Sequence, residues 1–152
     1  MTKYEELEEQ AKTDNVDIIL FDFKGNLHGL YCDNNIALKK DDTIQEKTCI
    51  LAEELGHHYT TVGNILDMSV DSNRKQEYQA RLWGYNRLIG LQGIIKAHKA
   101  HCKNAYEAAE YLNVTVDYLL DALTCYKEKY GTQVKVDDYV IFFEPMVNVL
   151  EK

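Results

Sequence analysis

The chain has no Cys-x-x-Cys pair, no long apolar run and no excess of basic residues, and each lack removes a class of function. Its four cysteines, Cys32, Cys49, Cys102 and Cys125, are scattered. They read as reduced, mostly buried thiols of a cytosolic protein rather than as a disulfide framework. No apolar stretch approaches the roughly 20 residues needed to span a bilayer. The first ten residues, MTKYEELEEQ, are acidic and polar, unlike a secretory signal. Lys and Arg number 17 against 25 Asp and Glu, a net charge of −8. Nucleic-acid affinity comes mostly from neutralising phosphates, so such a chain is a poor partner for DNA or RNA. Internal repeats and low-complexity segments are also lacking.

What is present is an ordinary globular composition, 45% apolar and 28% charged. A length of 152 residues suits one domain, or a domain with an appendage, and can bury a sizeable core. Residues 2–12 have helical spacing (Tyr4, Leu7, Ala11) with acids in the first turn, where the helix dipole favours them. Residues 16–23 are β-branched and aromatic, Gly25-Asn26 is a turn signal, and residues 27–31 follow as a second strand, which predicts a hairpin. Residues 35–38 suggest a third, short strand. His28 alternates with the apolar residues of its strand and is expected at the surface.

A helix is expected over residues 43–59, with cap candidates at Asp41, Asp42 and Thr43. After a polar connection over residues 60–73, a second helix runs to about residue 89. Its stripe of Tyr78, Leu82, Tyr85 and Ile89 is expected in the core. Beside that stripe lie Glu77, Ala80 and Gly84. A carboxylate followed by two small residues lets another helix approach closely while the carboxylate points at it. Further helices are expected over 91–101, 105–112 and 116–126. The last two, joined by Asn113-Val114-Thr115, have helix-turn-helix spacing, with Thr115 as the cap. Asp117 and Asp121 would repel phosphate, so this pair suits packing or partner recognition better than DNA reading. Residues 134–143 are strand-like, ended by Pro145, the only proline.

The chemistry concentrates in residues 53–58, Glu-Glu-Leu-Gly-His-His. Residues three and four apart are neighbours on a helix, so Glu53 stacks with His57, and Glu54 lies within a turn of His57 and His58. Gly56 inside a helix costs about 1 kcal/mol relative to Ala, which points to something passing close to its backbone. A zinc peptidase needs three protein ligands, an open position for water, and a carboxylate to take the water's proton. The usual helical solution is His-Glu-x-x-His. Residues 53–57 fit it at four of five places, with Glu53 where the first His stands. A carboxylate there is an acceptable ligand, but it makes the site harder and more anionic. That weakens Lewis acidity and shifts preference from zinc toward manganese or iron. A second register, with Glu54 and His58 as ligands, leaves no evident base. Glu54-x-x-His57 also fits half of a carboxylate-bridged di-iron site, but the chain lacks a second such element. The bland alternatives are a solvated helix end for residues 53–58 and a first-turn acid for Glu77.

Leu51-Ala-Glu-Glu-Leu-Gly-His-His58, followed by Glu77-Tyr-Gln-Ala80, resembles the ImmA/IrrE family of metallopeptidases. Those proteins carry a Leu-Ala-His-Glu-Leu-Gly-His helix and an acid-x-x-Ala motif on the next helix. The stretches Ala108-Ala-Glu-Tyr-Leu-Asn-Val-Thr115 and Tyr126-Lys-Glu-Lys-Tyr-Gly131 are similar to short members encoded by prophages of Gram-positive bacteria. The resemblance implies an α+β, zincin-like core over residues 1–92, with a small N-terminal β-sheet packed on helices. A helical, helix-turn-helix-like region ending in a strand would follow over 93–152. It implies a cytoplasmic, metal-dependent endopeptidase, most simply a zinc enzyme, that cleaves a phage or mobile-element transcriptional repressor. By position, His57 and Glu77 would be metal ligands, Glu53 would occupy the first ligand place, and Glu54 would be the general base. Two further readings stay open. One is a peptidase-like protein that binds a repressor without cutting it. The other is a DNA-binding regulator, against which the charge argues.

Overall fold

The computed structural model describes residues 1–60, 70–144 and 146–152. Within them the chain is mixed α+β and divides into two compact units, Met1–Arg87 and Leu88–Lys152. Most of the polar connection expected before the second long helix, and Pro145, lie outside the described residues. No helix among the described residues is long and apolar enough to cross a membrane.

The first unit opens with α1 (Lys3–Thr13), started by a capping box in which Thr2 and Glu5 satisfy each other's backbone N–H groups. Strands β1 (Asp17–Phe21), β2 (Gly29–Cys32) and β3 (Asn35–Lys39) follow. The expected hairpin between the first two strands does not form. The sheet order is β1-β3-β2, with β1 parallel to β3 and β2 antiparallel to it. The hairpin joins β2 to β3 through Asp33-Asn34, both at positive φ (48° and 62°). A two-residue turn matching strand twist requires that backbone, and Asp and Asn tolerate it. Gly25, at φ +87°, serves instead in the loop that carries the chain across to β2.

Ile36 and Leu38 of the central strand are fully buried, as are Leu7 and Ala11 of α1 and Leu51 and Leu55 of α2 (Ile44–Thr60), and α2 packs on both β3 and α1. Thr43 caps α2: its hydroxyl accepts from Glu46 N, and the Glu46 carboxylate accepts from Thr43 N. Helix α3 (Val70–Leu88) begins before the expected residue 73. Its stripe buries Leu82 and Tyr85, whereas Tyr78 reaches the surface at 37% exposure. Near the far ends of α2 and α3, Tyr59 packs on Trp83 with ring centroids 5.0 Å apart and donates to Asp14. Gln10 bridges Tyr59 and Arg87.

The second unit contains α4 (Gly90–Lys99), α5 (Ala105–Leu112) and α6 (Val116–Tyr130). Asn113 takes the left-handed conformation (φ 58°) that ends α5, and the Thr115 hydroxyl caps α6 by accepting from Tyr118 N, as the sequence predicts. The single expected terminal strand is a correction. Residues 133–151 form an antiparallel meander of β4 (Gln133–Val136), β5 (Tyr139–Phe142) and β6 (Asn148–Glu151). The break at Asp137, at φ 51°, is a tight turn inside what reads as one β-rich run. The C-terminal region is therefore helical with a small sheet. All four cysteines are free. Cys49 and Cys125 are buried, Cys102 is half-buried and Cys32 is exposed, so burial applies to fewer of them than expected.

Candidate metal centre

The site is built on α2 and α3, and Gly56 sets how closely they cross. A Cβ placed on Gly56 would lie 2.2 Å from the Ala80 carbonyl oxygen and 3.1 Å from Ala80 Cα. Only a residue without a side chain lets the α3 backbone lie there, and the fully buried Ala80 completes the fit. The penalty of glycine in a helix thus has its cause in tertiary packing.

That crossing brings the side chain one turn before Ala80 onto α2. His57 Nε2 lies 3.5 Å from Glu77 Oε1. Donor atoms of Glu53, His57 and Glu77 all fall within 4.8 Å of one another. Glu53 and His57 are half-buried and Glu77 is exposed, which leaves the cluster open on one side. One imidazole and two carboxylates are a donor set that suits a divalent transition metal, and a cation would offset the mutual repulsion of the acids. On both counts the residues fit a metal.

Glu54, next to Glu53 on α2, packs against the sheet while staying close enough to Glu53 and Glu77 to feel their charges. A Cβ on Gly29 would sit 3.5 Å from Glu54 Cγ and 2.3 Å from Ile50 Cγ2, so β2 runs directly against this stripe of α2. Burial there pushes the Glu54 carboxyl up to about 7, with the charges of Glu53 and Glu77 adding to the effect. A carboxyl in that range can both take and return a proton near neutral pH.

His58 lies outside the cluster. Its Nδ1 is 2.6 Å from Tyr31 Oη, and the two rings meet edge-on. Tyr31 is two residues beyond Gly29 on the same face of β2, so Gly29 receives Glu54 and Tyr31 receives His58. Arg81, one turn after Glu77 on α3, places Nε 3.7 Å from Glu53 Oε1. Sequence reasoning missed both partners. Neither was signalled by spacing within its own element, because each contact depends on how α3 or β2 lies against α2. His28, expected at the surface, is half-buried, and its Nδ1 pairs with Asp42 Oδ2 at 2.8 Å.

The model of the peptidase M78 family, described as the IrrE N-terminal-like domain, matches residues 6–124. The chain belongs to the ImmA/IrrE family. The match spans the whole cluster and most of the three helices of the second unit. No curated protein and no solved structure gives a match. ImmA/IrrE membership makes this a metallopeptidase-type chain and implies a metal.

Proposed function

We propose that this chain is a metal-dependent endopeptidase of zincin-like fold, acting in the cytoplasm on a phage or mobile-element transcriptional repressor. The observation that carries the reading is the convergence of Glu53, His57 and Glu77 beside a carboxyl held near neutrality at Glu54. Glu53, His57 and Glu77 would hold the metal, zinc in the simplest case and manganese or iron as alternatives that the second carboxylate favours. When bound, the metal supplies Lewis acidity at the water and the scissile carbonyl. Glu54 takes the proton of the attacking water and returns it to the leaving amine as the C–N bond breaks. Burial against β2 makes Glu54 basic enough to do the first and acidic enough to do the second. His57 and Glu77, on separate helices, keep their spacing through the Gly56–Ala80 crossing. The Tyr31 contact turns His58 toward the sheet and leaves His57 alone to face α3.

The test uses purified repressor from the same phage or mobile element, incubated with the metal-loaded protein. Discrete cleavage is expected for the wild type. Glu54→Gln should bind the repressor and leave it intact. Cleavage by both proteins, or by neither, contradicts the assignment.

A second reading is favoured by Arg81. The guanidinium already supplies a cation to Glu53, the ligand place where the family carries His. In that reading the chain is a peptidase-like binder that controls a repressor without cutting it, and Glu54→Gln changes nothing.

A further inference from the structure

The second unit holds a cavity of about 600 Å³ between α4, α5, α6 and the segment leading into β6. That volume falls in the range of about 300–1,000 Å³ typical of small-molecule sites. Its walls are aliphatic: Ile94, Leu112, Leu119 and Leu123, with Leu120 at the mouth and 46% exposed. The polar lining comes from His98 of α4, Lys103 and Asn104 of the α4–α5 link, and Asn148 of β6. Among the described residues no Asp or Glu lines it. Residues 90–104 contain Lys96, His98, Lys99, His101 and Lys103 and no acid, within a chain of net charge −8. An apolar slot lined by Lys103 and His98 and by no acid among the described residues, on an otherwise acidic protein, complements a ligand with an aliphatic body and an anionic head. Two turns of α-helix, about 10 Å wide and 11 Å long, would exceed the volume, which favours a single chain over a peptide helix.

We propose that this cavity binds a single-chain anionic amphiphile, a fatty-acid-like carboxylate in monomeric form, with its chain among the α4, α5 and α6 side chains and its head at Lys103. The site lies wholly in the second unit and stands independently of the peptidase assignment.

The probes are octanoate and decanoate, titrated calorimetrically into the full chain below their micellar concentrations, with decanol as the neutral control. One saturable site is expected, tightening by about fourfold per added methylene. Lys103→Glu should weaken decanoate by up to about tenfold while leaving decanol unchanged, the loss expected from reversing the charge of one exposed lysine. Leu120→Glu, a change at a partly exposed position that the fold tolerates, should weaken both ligands. Absence of saturable binding, equal affinity for decanoate and decanol, or indifference to Lys103→Glu would overturn the proposal. So would a dimer, seen by light scattering, that Leu120→Glu dissociates and decanoate does not, because the cavity would then be filled by a second copy.

Discussion

Replacing Glu54 by Gln should stabilise the metal-free protein at alkaline pH and leave it unchanged at acid pH. The folded carboxyl titrates at about 7, above its ordinary 4.5, chiefly because α2 presses it against β2 at Gly29. Between those values the folded chain holds a proton that the unfolded chain has released. Stability therefore falls as pH rises through that window and levels off above about 7. The full gap corresponds to at most about 3.4 kcal/mol. Glu54 keeps partial contact with solvent, which reduces the cost to about 1–2 kcal/mol. Gln fills nearly the same volume and carries no charge. In chelator, urea denaturation at pH 8 should therefore show the variant more stable by about 1–2 kcal/mol, or by about 2–8 °C in Tm. At pH 4.5 the two proteins should agree within about 0.5 kcal/mol. Titrating groups other than Glu53 and Glu77, whose charges act on Glu54, cancel in the difference. A variant no more stable than wild type at pH 8 would refute the buried, proton-holding Glu54.

Gly56→Ala drives a methyl group into the Ala80 carbonyl and should destabilise by about 1–3 kcal/mol in urea denaturation, despite the better helix propensity of Ala. The same variant should bind metal more weakly in a chelator competition, since Glu77 is moved from His57. Arg81→Gln removes the cation that competes for Glu53. Its metal affinity should rise by about two- to fivefold in the same competition, with stability changed by less than about 0.5 kcal/mol. Thr43→Ala breaks the reciprocal cap with Glu46 and should cost about 1 kcal/mol in thermal unfolding.

Most helices were legible in the sequence because their signals are local. Thr115 caps α6 and Gly56 marks a close helix crossing, and both follow from what one residue can or cannot do. Strand pairing was not legible. Gly25-Asn26 and Asp33-Asn34 both carry turn chemistry, and choosing between them depends on which strand the buried face of β3 accepts on either side. The terminal meander was hidden for a similar reason, because Asp137 turns the chain within an otherwise β-rich run. At the site, Glu53, His57 and Glu77 could be grouped from helical spacing plus the small-residue stripe on α3. The roles of Arg81 and Tyr31 could not, because each depends on the distance between elements rather than on spacing within one. The elevated Glu54 carboxyl belongs to the same class, since β2 creates it by packing.

The most direct test of the metal centre is elemental analysis of protein purified without chelator or affinity nickel, beside His57→Ala. The Glu53–His57–Glu77 centre predicts about one equivalent of zinc, manganese or iron in the wild type and loss of that metal in the variant. A wild type that holds no metal even after incubation with zinc, manganese or iron, or a His57→Ala protein that retains it, would contradict the centre and leave the chain as a binder on a peptidase scaffold.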